Sequence, residues 1–193
     1  MFEVCRAHTF PTVSSTATGR KRWWPGDSVE SVTSPLGVEI RQALEADEPA
    51  VSACVDVAYA GYVERIGKKP APMLDDYTIL IENQVVHVAT IDDQLVGLIV
   101  CWPNGDHLYV DNIAVLPQVQ GTGVGAALLD FAELQARRAG LSEIRLYTNA
   151  EMAQNVQYYP RRGFRETHRA CNAGYQRVYF SRLLEPLNPA QCR

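Results

Sequence analysis

The chain has 193 residues, of which 47% are hydrophobic, and its formal net charge is −4 at neutral pH. This length and composition predict one globular domain with a sizeable core. The acidic balance gives no electrostatic argument for binding nucleic acid or an anionic membrane, so we expect neither as a partner.

Cysteine and histidine usage argues against a disulfide framework and a metal centre. The five cysteines are scattered without a CxxC pair, and the four histidines lack the spacing of metal ligands. No apolar run approaches the ~20 residues of a membrane-spanning helix, and the N-terminus lacks the apolar region of a secretory signal. We therefore expect free thiols, no metal and a cytoplasmic location.

Residues 1–37 differ in composition from the rest of the chain. They are rich in Ser, Thr, Pro and Gly and show no periodicity, and they include a basic and aromatic cluster at 20–24. This composition predicts a disordered extension. The cluster is open to two interpretations, an interaction patch or a solvated run. We expect the folded domain over residues 38–187 and a short tail over 188–193.

The first part of the expected domain contains one strand and two helices. The strand is predicted over Val38–Arg41. A helix is predicted from Asp47, because apolar residues then recur at helical spacing as far as Tyr62. A second, short helix is predicted over Asp75–Glu82.

Three strands and a long helix follow. Val85–Ile91 and Leu95–Trp102 flank a short turn and predict a hairpin. A third strand over Leu108–Val115 is rich in β-formers and stops before Pro117, because proline cannot donate to a ladder. A glycine-rich loop then leads into an apolar-periodic helix that ends near Gly140.

The last part of the domain predicts a strand, a helix and two further strands. The strand covers Ile144–Thr148, and Thr148 with Glu151 has the form of a capping box that would start the helix. Phe164–Arg169 and Tyr175–Leu183 are the final strands. This order predicts a mixed α/β or α+β sheet rather than regular βαβ alternation.

The glycine-rich loop predicts a site for a phosphate or pyrophosphate. The first turn of a helix carries unpaired N–H groups and a partial positive charge, and glycines let a ligand approach closely. A P-loop is excluded because Gly125 is followed by Ala126 rather than by Lys and Ser or Thr. The relaxed dinucleotide fingerprint Gly121-x-Gly123-x-x-Ala126 is present. However, it does not follow its strand directly, and the expected acidic residue is missing.

A second interpretation of the loop is Gln120-x-x-Gly123-x-Gly125. With Val115 and Pro117 upstream, this resembles the acyl-CoA signature of the GNAT superfamily of N-acyltransferases. Downstream, after the next strand, Asn155, Tyr159 and the pair Gly163-Phe164 stand in the order that this family shows. The resemblance covers the whole expected domain.

The GNAT resemblance implies a mixed, mostly antiparallel sheet of six to seven strands flanked by about four helices. It implies acetyl-CoA as co-substrate, with the backbone of Ile113 and Val115 pairing with the pantetheine arm. It implies that Gln120 positions the loop and that Asn155 binds CoA or holds the geometry. The loop amides would hold the CoA pyrophosphate, namely those of Gly121, Thr122, Gly123, Val124, Gly125 and Ala126.

The same resemblance implies direct attack of an acceptor amine on the thioester, with Tyr159 protonating the leaving thiolate. The base that accepts the amine proton has two candidates, Tyr109 and Asp111, which regular strand alternation places on one face. The early helices suggest an acceptor wall, made of Tyr59, Tyr62, Arg65 and Tyr77.

Two other functions stay open from the sequence. One is a GNAT-fold protein that binds acyl-CoA without turnover, and the other is a nucleotide-cofactor oxidoreductase. Binding of CoA rather than NADH separates the oxidoreductase from the rest. The acceptor is expected to be a small-molecule or peptide amine, and the sequence leaves open whether the chain forms a homodimer.

Overall fold

The computed structural model describes residues 31–186, which form one open eight-stranded sheet and five α-helices. In chain order the elements are β1 (Val32–Thr33), β2 (Glu39–Gln42), α1 (Glu48–Tyr59), α2 (Val63–Ile66), α3 (Tyr77–Glu82), β3 (Val86–Ile91), β4 (Gln94–Asn104), β5 (His107–Val115), α4 (Val124–Arg138), β6 (Glu143–Asn149), α5 (Ala153–Arg161), β7 (Arg165–Asn172) and β8 (Tyr175–Leu183). Within residues 31–186, no helix is long and apolar enough to cross a membrane.

The strands lie side by side in the order β1-β2-β3-β4-β5-β6-β8-β7. Every neighbouring pair is antiparallel except β5 and β6, which are parallel. This confirms the predicted mixed, mostly antiparallel sheet, with eight strands rather than six or seven. Four of the helices are longer than a single turn, in agreement with the predicted number.

The additional strand is β1, which lies in the segment that composition predicted to be disordered. Residues 31–37 form β1 and a tight turn, in which the Ser34 hydroxyl accepts hydrogen bonds from the N–H groups of Leu36 and Val38. Pairing of Val32 with Ile40 adds the turn to the sheet edge. The remainder of that extension, with the cluster at 20–24, and the C-terminal tail lie outside the described residues.

The core has two layers, one on each face of the sheet. Because strand side chains alternate between faces, neighbouring residues of one strand enter different layers: Ile99 packs with α4, whereas Leu98 packs with α1. Leu128 is completely buried on the α4 side of the sheet, and Val51 of α1 is completely buried on the other side. The sheet is therefore covered by helices on both faces.

The parallel pair β5 and β6 separates after a short contact. The two strands share only the register pairs Leu108–Ile144, Tyr109–Arg145 and Val110–Leu146. Beyond these pairs β5 continues to Val115 and β6 to Asn149 as separate walls of a cleft.

A β-bulge lies at the point where the cleft opens. On the β4 side Cys101 pairs with Val110 and Val100 with Asn112, so Asp111 is the extra residue of the bulge.

The predicted capping box at Thr148 does not form. Both Thr148 and Asn149 remain in β6, because its ladder with β8 extends to the pair Asn149–Arg177. The helix α5 instead begins at Ala153, and its N-cap Met152 provides no side-chain bond. In the connection that precedes α5, the N–H of Glu151 donates a hydrogen bond to Asn149 Oδ1 at 2.9 Å.

The buried histidine of β3 makes the stability of the fold depend on pH. His87 is 2% exposed and packs against the Phe131 ring at 4.8 Å, and burial lowers its pKa from 6.5 to about 4. As pH falls, His87 is therefore protonated near pH 6.5 in the unfolded chain but only near pH 4 in the folded chain. We expect the free energy of unfolding to fall by about 3 kcal/mol as pH drops through this window.

Urea unfolding between pH 4 and pH 7 measures this contribution. His87→Gln is expected to flatten the pH dependence, whereas His168→Gln, at an exposed position of β7, is expected to leave it in place. An unchanged slope in His87→Gln would show that another group titrates.

Candidate functional site

The glycine-rich loop turns the chain from β5 into α4. Gly121 has φ of 82° and Gly123 has φ of 105°, values that favour glycine, and Gly123 is the N-cap of α4. The Gln120 side chain donates from Nε2 to the carbonyl of Val115 at 3.0 Å. This hydrogen bond joins the loop to the end of β5.

The head of α4 presents a group of backbone donors. Within residues 31–186, no backbone carbonyl accepts from the N–H groups of Gly121, Gly123, Val124, Gly125 or Ala126. The amide of Thr122, by contrast, donates to the Val119 carbonyl at 3.3 Å. Five of the six amides expected to hold a pyrophosphate are therefore available, in the arrangement that binds anions at helix N-termini.

A cavity of about 470 Å³ runs from this loop along β5 toward α5. The predicted cofactor-binding residues that line it are Ile113, Val115, Gln120, Gly121, Gly123, Gly125, Ala126 and Asn155. Two predicted residues do not line it: Val124 is buried in the core, and the Thr122 hydroxyl donates to the Val119 carbonyl at 2.7 Å. Seven further lining residues were missed by sequence reasoning, and they include the aromatic Tyr158 and the cationic Arg161 and Arg162.

A second, smaller cavity of about 40 Å³ lies between the separating ends of β5 and β6. It is lined by Val110–Ile113 of β5 and Leu146–Asn149 of β6, and on the outer side by residues 70–72, Tyr175 and Arg177. The residues that line both cavities are Tyr59, Ile113, Asn155 and Tyr159. These four residues mark the junction where groups bound in the two cavities would meet.

Tyr159 reaches this junction from α5. Its ring packs against Phe164 at 5.8 Å and Phe180 at 5.5 Å, which fixes its direction. Burial raises the pKa of Tyr159, and the nearby Tyr158 and Tyr62 hydroxyls raise it further. The phenol is therefore protonated at neutral pH, the form that a proton donor needs.

Asn155 lies one turn before Tyr159 on the same face of α5. Its Nδ2 is 3.4 Å from Thr148 Oγ1 and 3.7 Å from Met152 Sδ. These contacts tie α5 to the end of β6 while the side chain still borders both cavities.

The two predicted base candidates, Asp111 and Tyr109, differ in whether they line the smaller cavity. Asp111 is 9% exposed and lines the smaller cavity, whereas Tyr109 does not line it and packs between Trp102 at 5.1 Å and Tyr147 at 6.3 Å. Burial raises the pKa of Tyr109, and the Asp111 carboxylate raises it further.

The alternation that put Tyr109 and Asp111 on one face is interrupted by the bulge. Tyr109 and Ala114 pack in the layer of α1, and Ile113 packs in the layer of α4. A regular strand would put residues 109 and 113 on one face and residue 114 on the other. The bulge therefore shifts the alternation of β5 between Tyr109 and Ile113.

The suggested acceptor wall divides into three environments. Tyr59 and Tyr62 line the larger cavity, with ring centroids 6.3 Å apart. Tyr77 is buried in the core, and Arg65 borders neither cavity, with its guanidinium 5.7 Å from the Tyr62 ring centroid.

A buried hydrogen-bond chain supports β5 directly after the bulge. The Tyr59 hydroxyl donates to Asn112 Oδ1 at 2.6 Å, and Asn112 Nδ2 donates to the Tyr77 hydroxyl at 2.9 Å. The Tyr77 hydroxyl in turn donates to the Pro72 carbonyl at 3.1 Å. Asn112 was not singled out from the sequence, although a polar residue inside an apolar strand is the available signal.

Sequence reasoning also missed the outer wall of the smaller cavity. Tyr147 and Arg177 come from β6 and β8, and the Arg177 guanidinium carbon lies 4.1 Å from the Tyr147 ring centroid. The alternation Tyr175-x-Arg177-x-Tyr179 on a strand is the signal that could have indicated it. Across residues 31–186, no group of three or more His, Cys, Asp or Glu side chains is placed to hold a metal ion.

Removing the centre of the hydrogen-bond chain is expected to destabilise the fold. Asn112→Ala leaves the buried hydroxyls of Tyr59 and Tyr77 without this partner, which costs about 2–4 kcal/mol of the free energy of unfolding. The matched control Asn104→Ala, at the end of β4, should change it by less than ~0.5 kcal/mol. Urea denaturation of both variants compares them, and equal effects would contradict a supporting role for Asn112.

Comparison with known proteins agrees with this geometry. The profile described as Acetyltransferase (GNAT) family matches residues 42–164. The aminoalkylphosphonate N-acetyltransferase of Salmonella typhimurium is 34% identical over 59 residues, which span 31% of this chain and 38% of that protein.

Solved structures share the fold. A GNAT-family protein from Desulfovibrio desulfuricans is 22% identical with a TM-score of 0.63, and the match covers 76% of this chain and 98% of that one. The PaiA N-acetyltransferase of Thermoplasma acidophilum, in complex with coenzyme A, is 20% identical with a TM-score of 0.60, and covers 76% of this chain and 98% of its own. Since the family profile spans most of the described residues, the chain belongs to the acetyltransferase (GNAT) family and is an acyltransferase.

Proposed function

We propose that this acyltransferase moves an acetyl group from acetyl-CoA to the primary amine of a small molecule. The observation that carries the proposal is the set of five available N–H groups at the head of α4, which opens into the cavity that ends at Tyr159. One end of this path suits a pyrophosphate, and the other end holds a protonated phenol.

The residues of the larger cavity fit coenzyme A. The N–H groups from Gly121 to Ala126 would hold the pyrophosphate, and the cationic Arg161 and Arg162 border the same cavity. Beyond Val110 the side of β5 that faces β6 has no partner strand among the described residues. An extended pantetheine arm could therefore pair with the backbone of Ile113 and Val115, as an added strand would.

Bound acetyl-CoA supplies a thioester whose acyl carbon is open to attack by a neutral amine. In this transfer a C–N bond forms, the C–S bond breaks, and the sulfur leaves with the electron pair. Tyr159 gives its hydroxyl proton to that sulfur. Burial raises the pKa of Tyr159, but it also raises the pKa of a thiolate formed in the same cavity, so burial does not prevent this proton transfer.

The acceptor amine must lose a proton, because an alkyl ammonium with a pKa of ~10.4 is not nucleophilic. We assign acceptance of this proton to Asp111, which borders the smaller cavity, rather than to Tyr109, which packs behind it. Backbone N–H groups on the free side of β5 are suited to stabilise the oxyanion.

A small acceptor is favoured over a protein by the outer wall of the smaller cavity. Residues 70–72 border it, and the Tyr175 hydroxyl donates to the Lys69 carbonyl at 2.7 Å. Lys68 Nζ also donates to the Ala173 carbonyl at 3.1 Å. These two hydrogen bonds join the segment 68–72 to the β7–β8 hairpin, and the resulting wall leaves less room beside the cavity for a protein chain than for a small molecule. Action of the Salmonella relative on aminoalkylphosphonates supports a small amine.

We infer that the reaction takes place in the cytoplasm, where thiols stay reduced. The cysteines of the described residues agree, since Cys54, Cys101 and Cys171 are all free thiols.

Removing the Tyr159 hydroxyl tests the proton donor. Tyr159→Phe is expected to lower kcat about 100-fold or more while the KM for acetyl-CoA changes little, because the phenol acts only as the sulfur leaves. Release of the CoA thiol in the presence of an amine panel measures the rate. The control Tyr179→Phe, a tyrosine that borders neither cavity, should keep wild-type turnover. Retention of turnover in Tyr159→Phe would overturn the assignment.

A larger side chain in the anion cradle, the group of available N–H donors from Gly121 to Ala126, tests whether acetyl-CoA binds there. A Cβ at Gly125 would lie 3.5 Å from the Tyr158 hydroxyl and 3.9 Å from Val115 Cγ2, so a valine there occupies the ligand's space. Gly125→Val is expected to weaken acetyl-CoA binding by about tenfold or more in calorimetric titration.

Two controls accompany that titration. Gly61→Val should bind acetyl-CoA as the wild type does, because a Cβ at Gly61 meets nothing within 4 Å. NADH should not bind to the wild type. Absence of acetyl-CoA binding, or preference for NADH, would refute the proposed function.

A further inference from the structure

Arg177 is a buried cation that forms no close ion pair with a described carboxylate. It is 8% exposed, lies in the middle of β8 and borders the smaller cavity. Its contact is with the face of the Tyr147 ring, and within residues 31–186 its guanidinium takes part in no ion pair. A buried guanidinium without a carboxylate is costly, so a protein that keeps one at a cavity wall gains from an anion that binds there.

Two other arginines of this part of the sheet, Arg145 and Arg169, differ from Arg177 in being ion-paired. Arg145 of β6 is paired with Glu143 at 2.7 Å, and Arg169 of β7 is paired with Glu166 at 2.7 Å. Both of these side chains are largely exposed or half-exposed. Of these three arginines, Arg177 is the one without an ion pair to a described residue and the one that borders the smaller cavity.

The cavity carries charge of opposite sign on its two walls. Asp111 on β5 and Arg177 on β8 are the charged side chains among its lining residues. Both charges act on Tyr147: burial raises its pKa, the Asp111 carboxylate raises it further, and the Arg177 guanidinium lowers it. An ammonium group placed near Asp111 and an anion placed near Arg177 would each meet its complement.

An aromatic row lies beside these two charges. Ring centroids of Trp102, Tyr109, Tyr147 and Tyr179 follow one another across β4, β5, β6 and β8 at 5.1, 6.3 and 5.8 Å. The row holds Tyr147, and through it Arg177, in one orientation. Tyr147 is the member of the row that lines the smaller cavity, and its ring gives a bound acceptor an apolar surface between its two charged ends.

The geometry points to an acceptor that carries an anionic group as well as its amine, with the anion bound by Arg177 and the amine directed toward Asp111 and the junction at Tyr159. This inference rests on the proposed acetyl transfer and names its substrate class: short zwitterionic amines whose second group is a carboxylate, phosphonate or phosphate. Arg177 is then a specificity-determining residue, since its planar fork suits two oxygens of such a group.

A matched series of acceptors tests the inference. Four primary amines share a three-carbon chain and differ at the far end: 3-aminopropylphosphonate, 3-aminopropanoate, 3-aminopropanol and 1,3-diaminopropane. Binding of each to the CoA-saturated protein is measured by calorimetry, and kcat/KM is measured by CoA thiol release with acetyl-CoA. We expect the two anionic members to exceed the neutral and cationic members by about tenfold or more in both measurements.

Single substitutions of Arg177 and Arg169 test which residue causes the preference for anionic acceptors. Arg177→Gln should reduce the ratio of anionic to neutral acceptors to near one, and Arg177→Lys should retain part of it, because the charge remains but the planar fork is lost. Arg169→Gln, on the neighbouring strand and exposed, should keep the wild-type ratio. Acetyl-CoA titration and thermal unfolding of each variant report whether it is folded.

The outcomes separate the inference from the proposed function. If acetyl-CoA does not bind to the wild type, the proposed function fails and the inference fails with it. If acetyl-CoA binds but the wild type shows no preference for the anionic members, only the inference is overturned. The same holds if the preference survives in folded Arg177→Gln.

Discussion

The site depends on one constraint, the short parallel contact between β5 and β6. Three register pairs join the strands, and beyond Val110 they separate. A strand edge inside a sheet normally satisfies its N–H and C=O groups with a neighbour, so this separation leaves backbone polar groups facing a cleft. Such an edge is suited to bind a second extended chain. The larger cavity runs along it, and the smaller cavity occupies the gap between the strand ends.

Two features keep the cleft open. On the β5 side the bulge at Asp111 shifts the alternation of the strand, and the chain from Tyr59 through Asn112 to Tyr77 fixes the segment after it against α1 and α3. On the β6 side α5 is fastened to the strand end through Asn155. Tyr159 is held between these two supports, so its position follows from the packing of both halves of the sheet.

The parts of the fold that the sequence predicts well are the local ones. The loop from Gln120 to Ala126 and the helix after it are one contiguous stretch, in which glycine conformation, helix periodicity and N-terminal donors all follow from neighbouring residues. The pair Asn155 and Tyr159 shares a helix face for the same reason. The predicted strands from 85 to 115 also lie close to the observed β3, β4 and β5.

The parts that the sequence did not predict depend on distant partners. The bulge at Asp111 is defined by what β4 pairs with, and no local pattern marks it. The failed capping box at Thr148 has the same origin, because β6 is prolonged by its ladder with β8. Arg177 lies far along the chain from Asp111, and only the order β5-β6-β8 in the sheet brings their strands to one cavity.

The two cavities differ in the same way, because one is built mainly from neighbouring residues and the other from distant segments of the chain. The anion cradle is built from the loop at the head of α4 and is completed by α5, whereas the smaller cavity takes its walls from the segment at 70–72, β5, β6 and β8. The two halves share only four lining residues within the described chain, Tyr59, Ile113, Asn155 and Tyr159. If the proposed function holds, substitutions in the outer walls of the smaller cavity can alter which acceptor is bound while the glycine-rich loop and Tyr159 keep their geometry. On the proposed assignment of the acceptor site, the charged residues Asp111 and Arg177 are the features that a change of acceptor would have to alter first.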